Sequence, residues 1–443
     1  MNSLLKGTFL LIIATFLGEV TEFIVNMILA RELGESGLGQ YMTILPTIFL
    51  VLMLASFELP VSVSKMVAEN DEKYYRSLLG HAVRMAILIT AVLSIASAVI
   101  LPLVPAFKGY HPMFKWVVLL LIPVITISSV ARGFFMGKNE MGKIAVAYFL
   151  RRIIQLLLLA LVFQFFEFDP DTSLLVAFCT MAGSELVVFT YLLHLFIVSY
   201  QNIKKQPGEP LSGPHVRKSL MAVSVPTTAM RLFNALTHAV QPFLIKAAVI
   251  QAGISPETAT EQYGMLAGVA MTIGFFPAFI AHSFLIILIP AVSKAYAQKE
   301  FIKLQKILQQ VMLITFIYGI PAVVAFYVFA EPLTNVFFHS SDAAIYLQLL
   351  APYFLFHFFV IPMQAYLIGL GLVKDAFIHT VWATIISFSL IWIVGSQPEW
   401  HMGGIIIGMN AGSVLLTLLH YITICKKIGI TWPLKAAIRN SPN

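Results

Sequence analysis

Stretches of about 20 consecutive, mostly apolar residues recur along the whole of this sequence, and that recurrence leaves little choice of solvent. An α-helix rises about 1.5 Å per residue, so some 20 residues cross the ~30 Å hydrocarbon layer of a bilayer. Twelve segments meet this requirement, near residues 9–31, 41–64, 78–104, 116–137, 145–166, 174–199, 219–250, 263–292, 308–330, 345–371, 375–394 and 403–425. The seventh and eighth are longer than needed, which predicts a tilt or a break in each. Charged residues make up only 11% of the 443, against roughly 25% in a soluble domain. A single soluble core stops growing near ~250–300 residues, and no polar linkers divide the chain often enough to make several. The expected fold is therefore an all-α polytopic membrane protein of about 12 transmembrane helices.

The basic residues predict orientation. With the N-terminus inside, the tails and even-numbered connections hold all of the 28 Lys and Arg except Arg31, Lys108, Lys115, Lys246 and the mid-membrane Arg231. The positive-inside rule then places both termini in the cytoplasm. The net charge of +7 is on this reading a topology signal. Nucleic-acid binding would need a soluble basic domain that the chain does not offer. The apolar run after Thr8 continues to about Ala30 without a small-residue cleavage site, so it is expected to be kept as the first span. Cys179 and Cys425 lie far apart inside apolar stretches, which predicts neither a disulfide nor a cysteine metal site.

The chain also repeats itself. Gln40-Tyr41 recurs as Gln262-Tyr263, and Ser64-Lys65-x-x-Ala68 as Ser293-Lys294-x-x-Ala297, with Pro60 and Pro290 just upstream. Arg132-x4-Gly137 recurs as Gln364-x4-Gly369, followed by Lys143-x-Ala145 and Lys374-Asp-Ala376. The offsets of 222, 229 and 232 are close to half the length, and each echo falls on the same membrane side. The repeat is therefore parallel, about an axis along the membrane normal. It predicts a six-helix lobe over 1–200, a cytoplasmic linker over 201–216, and a second six-helix lobe over 217–443 ending in a short basic tail.

Ionisable side chains in mid-membrane cost at least ~2.5 kcal/mol on insertion scales, so they face a partner or water. Glu19, Glu22, Glu58, Glu185 and Arg231 are placed in this way. Thr15, Glu19, Glu22 and Asn26 share one face of span one, and Arg231, Asn234, His238 and Gln241 share one face of span seven. The functional reading is a hydrated cavity between the lobes, with Arg231 on an anionic group and the glutamates binding or relaying a cation. The structural reading is a buried network in which Arg231 neutralises Glu19, Glu22 or Glu58. His194, His282, His357 and His379 are scattered without metal-ligand spacing and are expected to pack between helices. Prolines inside the spans, Pro46, Pro123, Pro226, Pro277, Pro321 and Pro362, allow bends.

No Walker loop, no G-x-S-x-G elbow and no H-E-x-x-H pair occurs, so neither a nucleotide-driven pump nor an enzyme is expected. No cofactor or metal is expected, and a monovalent-cation gradient or the membrane potential would supply the energy.

Three runs carry a family resemblance: Leu5-Lys6-Gly7-Thr8, then Leu29-Ala30-Arg31-x-Leu33-Gly34-x-x-Gly37-x-Gly39-x-Tyr41, then Leu59-Pro60-Val61-x-Val63-Ser64-Lys65-x-Val67-Ala68-Glu69. Arg132-Gly133-x-Phe135-x-Gly137, Ala252-Gly253-x5-Ala259-x3-Tyr263-Gly264 and Pro290-Ala291-Val292-Ser293 continue it. The chain resembles, over essentially its whole length, the stage V sporulation protein B and polysaccharide-exporter family, within the multidrug, oligosaccharidyl-lipid and polysaccharide transporter superfamily. The resemblance implies a bacterial plasma-membrane flippase for a lipid-linked oligosaccharide or peptidoglycan precursor, working by alternating access in envelope or spore-wall synthesis. Membrane lipids, the lipid-linked sugar and cell-wall synthesis enzymes are the partners it implies. Its pyrophosphate would suit Arg231. Two features depart from the family pattern, which has fourteen spans and a basic first span where Glu19 and Asn26 stand here. A cation-coupled exporter of amphipathic cations, and a scaffold that does not transport, are the alternative readings.

Overall fold

The computed structural model describes residues 3–103, 107, 109–205, 207–337, 342–431 and 435–436. Within these, side chains are described from Phe16 to Gly429, apart from 226, 227, 230, 285–287 and 342. The side chains of Thr15 and Pro226, and the basic residues Lys108 and Arg439, therefore lie outside the described part. Among the described residues, each of the segments expected to span falls mainly on helix. Ten helices among the described residues are long and apolar enough to cross a membrane.

Chain order is α1 (Ser3–Ser56), α2 (Leu59–Glu69), α3 (Glu72–Ile100), α4 (Phe114–Gly137), α5 (Met141–Phe165), α6 (Pro170–Lys204), α7 (Gly213–Gln251) and α8 (Pro256–Gly264). After a π-helical turn at Met265–Ala270 come α9 (Met271–Phe275), α10 (Ala278–Ala297), α11 (Phe301–Val328), α12 (Ala330–Asn335), α13 (Asp342–Leu349), α14 (Ala351–Gly369), α15 (Val373–Gly395) and α16 (His401–Ile428). A two-residue antiparallel pairing of Ile430–Thr431 with Lys435–Ala436 follows.

Spans one and two run together as α1. Their whole junction is Gly34, at φ 67° and ψ −177°, a conformation open only to glycine. Span two then breaks again at Phe57-Glu58 before continuing as α2. Span eight, its counterpart in the repeat, is broken as well, by the π turn and by Phe276-Pro277 between α9 and α10. α7 is not among those ten helices, and Arg217, Lys218, Arg231, His238 and Lys246 lower its hydropathy.

The chain gathers into two compact units, Met1–Gly39 with Phe243–Asn443, and Gln40–Pro242. In the unit 40–242, α4 packs on α2 through Gly133 and Gly137. An added Cβ would lie 2.8 Å from Val63 and 2.6 Å from Val67 at these two positions. A core of Leu59, Val63, Leu78, Leu79, Phe134 and Leu192 fills the space between these helices. In the other unit α14 packs on α10 by the same device, with Gly369 against Val292 and the carbonyl of Ile289.

The ends of spans four and ten also match. Asn139 and Gly371 sit at φ 59° and 77°. The amides of Glu140 and Leu372, the residues after them, reach back to Phe135 and Leu367, each at 2.9 Å. Both are Schellman closures of a helix C-terminus. Their separation of 232 residues is the offset of the Arg132/Gln364 echo.

Candidate functional site

Within the unit 40–242 the site is built around the break in span two. Pro60 has no N–H to donate, and it stands in the first turn of α2, where none is needed. Just before it, Phe57 and Glu58 adopt φ values of 46° and 48°. Left-handed backbone at a non-glycine residue costs of the order of 1–3 kcal/mol and persists only where the surroundings enforce it. Here it holds a carboxylate indoors, since Glu58 is only 4% exposed. Arg231, on α7, donates from Nη1 to Glu58 Oε1. The arginine side chain is 66% exposed, so one edge of the guanidinium meets Glu58 and other donors face accessible space.

Hydroxyls extend this polar seam. Ser224 Oγ, two turns before Arg231, donates to Ser62 Oγ at 2.8 Å, and Ser129 Oγ donates to Ser56 Oγ at 3.2 Å. Between Ser224 and Arg231, at spacings of four and three, Thr228 Oγ1 is buried with no hydrogen-bond partner among the described residues. Sequence reasoning did not single out these serines and this threonine. Their one signal is the helical spacing of Ser224 and Thr228 from Arg231. Asn234 and His238 continue along α7 as exposed residues, and Gln241 is half-buried.

Glu185 is a separate centre. It lies on α6, 8% exposed, with Arg132 Nη2 of α4 and Arg151 Nη1 of α5 each 3.7 Å from its carboxylate. The Arg132 guanidinium also stands 5.7 Å from the Tyr148 ring centre. Glu185 thus ties three helices together, and the structure does not bring it to Glu58 or Arg231 through any described contact.

The span-one residues Glu19, Glu22 and Asn26 belong to the other unit, and all three are half-buried. Asn26 Nδ2 donates to Thr272 Oγ1 on α9 at 3.4 Å, and Glu19 interacts electrostatically with His282 on α10. Phe16 and Phe23, on the same part of α1, pack on Phe276 at the break in span eight. Within the unit 40–242 the carboxylate that meets Arg231 is Glu58. Of the scattered histidines, His379 meets buried His420 at 3.0 Å and His357 packs on Phe275. No group of three or more metal-binding side chains gathers among the described residues.

Residues 4–296 match the family described as polysaccharide biosynthesis protein, and residues 265–393 match the MatE family. The sporulation protein YkvU of Bacillus subtilis (strain 168) is 51% identical over 97% of this chain and 97% of its own length. Stage V sporulation protein B of the same organism is 31% identical, over 98% of this chain and 86% of its own length. The lipid II flippase MurJ, again of that organism, is 25% identical over 77% of this chain and 67% of its own length. Among solved structures, an inward-facing multidrug resistance MATE family transporter of the MOP superfamily has a similar fold. Its TM-score is 0.74 at 17% identity, covering 93% of this chain and 94% of that one.

Proposed function

Because the chain belongs to the polysaccharide biosynthesis protein family, as a multi-pass protein of the plasma membrane, we propose that it flips a lipid-linked oligosaccharide or peptidoglycan precursor by alternating access. Kinship to stage V sporulation protein B and to a lipid II flippase supports that substrate class and a role in spore-wall or envelope synthesis. The orientation with both termini in the cytoplasm, and the division into six-span halves about the 201–216 linker, are part of the same proposal. They rest on the placement of basic residues and on the repeat.

One observation carries the site. Arg231 is held by a buried carboxylate yet two-thirds exposed, which suits a guanidinium that is aimed by Glu58 and offers its remaining donors to a phosphate oxygen. Asn234, His238 and Gln241 follow it along α7 and supply polar contacts for the sugar. On span one, Glu19, Glu22 and Asn26 take the coupling role, with a monovalent cation or the membrane potential as energy source. Glu185, ion-paired on both sides, serves folding in this scheme.

The test uses the full chain in proteoliposomes carrying a fluorescent undecaprenyl-pyrophosphate sugar, read by a membrane-impermeant quencher. Transbilayer movement that Arg231→Ala abolishes, in protein that still elutes as a folded monodisperse species, supports the proposal. Movement no faster than in empty liposomes, with and without ion gradients, sinks it. In that case resistance to cationic dyes on overexpression would point to an exporter, and its absence to a scaffold.

A further inference from the structure

The unit 40–242 also contains a cavity of about 410 Å³ that no part of the transport scheme uses. Its floor is the first part of α3, where Arg76, Gly80 and Arg84 recur every four residues and Ser77 and His81 lie alongside. Tyr200, near the end of α6, stands across from them, and the linker from Gly208 to Pro210 forms the rim. The linker is tied down there. Glu209 receives Lys73 Nζ at 3.0 Å and donates its amide to the Lys73 carbonyl at 3.0 Å, and the Leu211 amide donates to Ser77 Oγ at 2.9 Å. Gly213, the first residue of α7, backs onto the His81 ring, where a Cβ would come within 2.7 Å of Cε1.

The charge of this cavity is unbalanced. Its one carboxylate, Glu209, is engaged by Lys73, while Arg76 and Arg84 have no carboxylate within ion-pairing distance among the described residues. Two guanidiniums some eight residues, or about 12 Å, apart along one helix face can converge on a single polyatomic anion. The volume lies in the range of small-molecule sites and exceeds what an isolated phosphate needs. The position of the cavity narrows the ligand further. One turn beyond Arg84, α3 begins to present large apolar side chains outward, first Ile87 and Leu88 and then Val92, Ile95 and Val99. That is the surface acyl chains would cover, so the cavity opens at the level of lipid head groups.

We infer that this cavity between α3, α6 and the linker binds a phosphate-bearing head group, held by Arg76 and Arg84, with Ser77, His81 and Tyr200 as polar neighbours. Its residues are distinct from Glu58 and Arg231. Nothing in the inference depends on what the protein transports.

The experiment measures binding of dioctanoyl phosphatidylglycerol, glycerol 1-phosphate and inorganic phosphate to the full chain in neutral detergent, with dioctanoylglycerol as the phosphate-free control. Phosphatidylglycerol is expected to bind saturably, and dioctanoylglycerol not to compete. Arg76→Gln and Arg84→Gln should each weaken binding about tenfold, as for a lost charge-assisted contact. Gly80→Leu keeps every charge and adds a side chain where a Cβ meets nothing within 4 Å, so it should fill the cavity and abolish binding in a folded protein. If glycerol 1-phosphate or inorganic phosphate binds as tightly and with the same sensitivity to these substitutions, the phosphate site stands and its ligand is water-soluble. Absence of binding by every phosphate probe, or binding that survives both Arg84→Gln and Gly80→Leu, overturns the inference.

Discussion

Glu58 and Arg231, 173 residues apart, form an ion pair in which the carboxylate is buried at a left-handed break in span two and the guanidinium is largely exposed. Removing the arginine strands a buried carboxylate, whereas removing both charges does not. Arg231→Gln is therefore expected to lower stability by about 1–3 kcal/mol, and the double variant Glu58→Gln/Arg231→Gln to recover most of that loss. Thermal unfolding in detergent measures both. A double variant less stable than Arg231→Gln alone would mean that the pair is not the interaction at stake.

Glu185 gives the opposite pattern. Its substitution leaves Arg132 and Arg151 facing each other without the carboxylate that now lies 3.7 Å from each. Glu185→Gln should reduce yield and melting temperature while the flipping rate per folded molecule stays unchanged. A normal melting temperature with abolished flipping would move Glu185 into the transport site.

Span twelve meets span eleven through a stripe of small residues. A Cβ on Gly404 would lie 2.6 Å from the Gly395 amide nitrogen, one on Gly408 2.7 Å from that of Ile391, and one on Gly412 2.7 Å from Ser387 Cβ. Backbone cannot give way as a flexible side chain can, so Gly408→Ala is expected to destabilise by about 1–3 kcal/mol. Gly403→Ala, whose Cβ meets nothing within 4 Å, should be neutral or slightly stabilising. The paired melting curves of these two variants test the packing of α15 on α16.

The helix ends supply a prediction in the stabilising direction. Asn139 and Lys299 occupy left-handed C-terminal positions at φ 59° and 56°, where the repeat partner of Asn139 is Gly371. Lys299→Gly should gain up to about 1 kcal/mol and Asn139→Gly less, while Gly371→Ala should lose about 1 kcal/mol. Chemical denaturation of the three variants against the parent decides the matter.

The linker strap carries a pH dependence. The Tyr74 hydroxyl and then the Lys73 ammonium hold the Glu209 carboxyl below its usual range. A depressed carboxyl pKa favours the folded arrangement above the unfolded value, near 4.3, and this contribution fades as pH falls through the lower folded value. Hydrogen exchange at the amides of Glu209 and Leu211, corrected for intrinsic rate, should therefore stay slow at neutral pH and accelerate only below about pH 4. Glu209→Gln should remove that transition.

The bilayer made much of this architecture legible residue by residue. Transfer into hydrocarbon is a local free energy, so the run from Phe114 to Gly137 announces a span wherever it ends up, whereas the break at Phe57-Glu58 went unread. The repeat was equally visible, because Gly137 and Gly369 are required by the same close helix contact in each half. Arg231 and Glu58 could be picked out singly, since a charge in mid-span is costly whatever surrounds it. Their pairing stood among three open to Arg231, with Glu19, Glu22 or Glu58, and the sequence did not choose between them. Nor did it show the role of Arg132 and Arg151, which read as topology charges and proved to be the partners of Glu185. Ser62 and Ser224 carry no hydropathy signal, and become a seam only when α2 lies against α7. Single-residue solvation decides which segments enter the membrane. Which side chains then share a site depends on contacts between residues far apart in the sequence, and those exist only once the helices have packed.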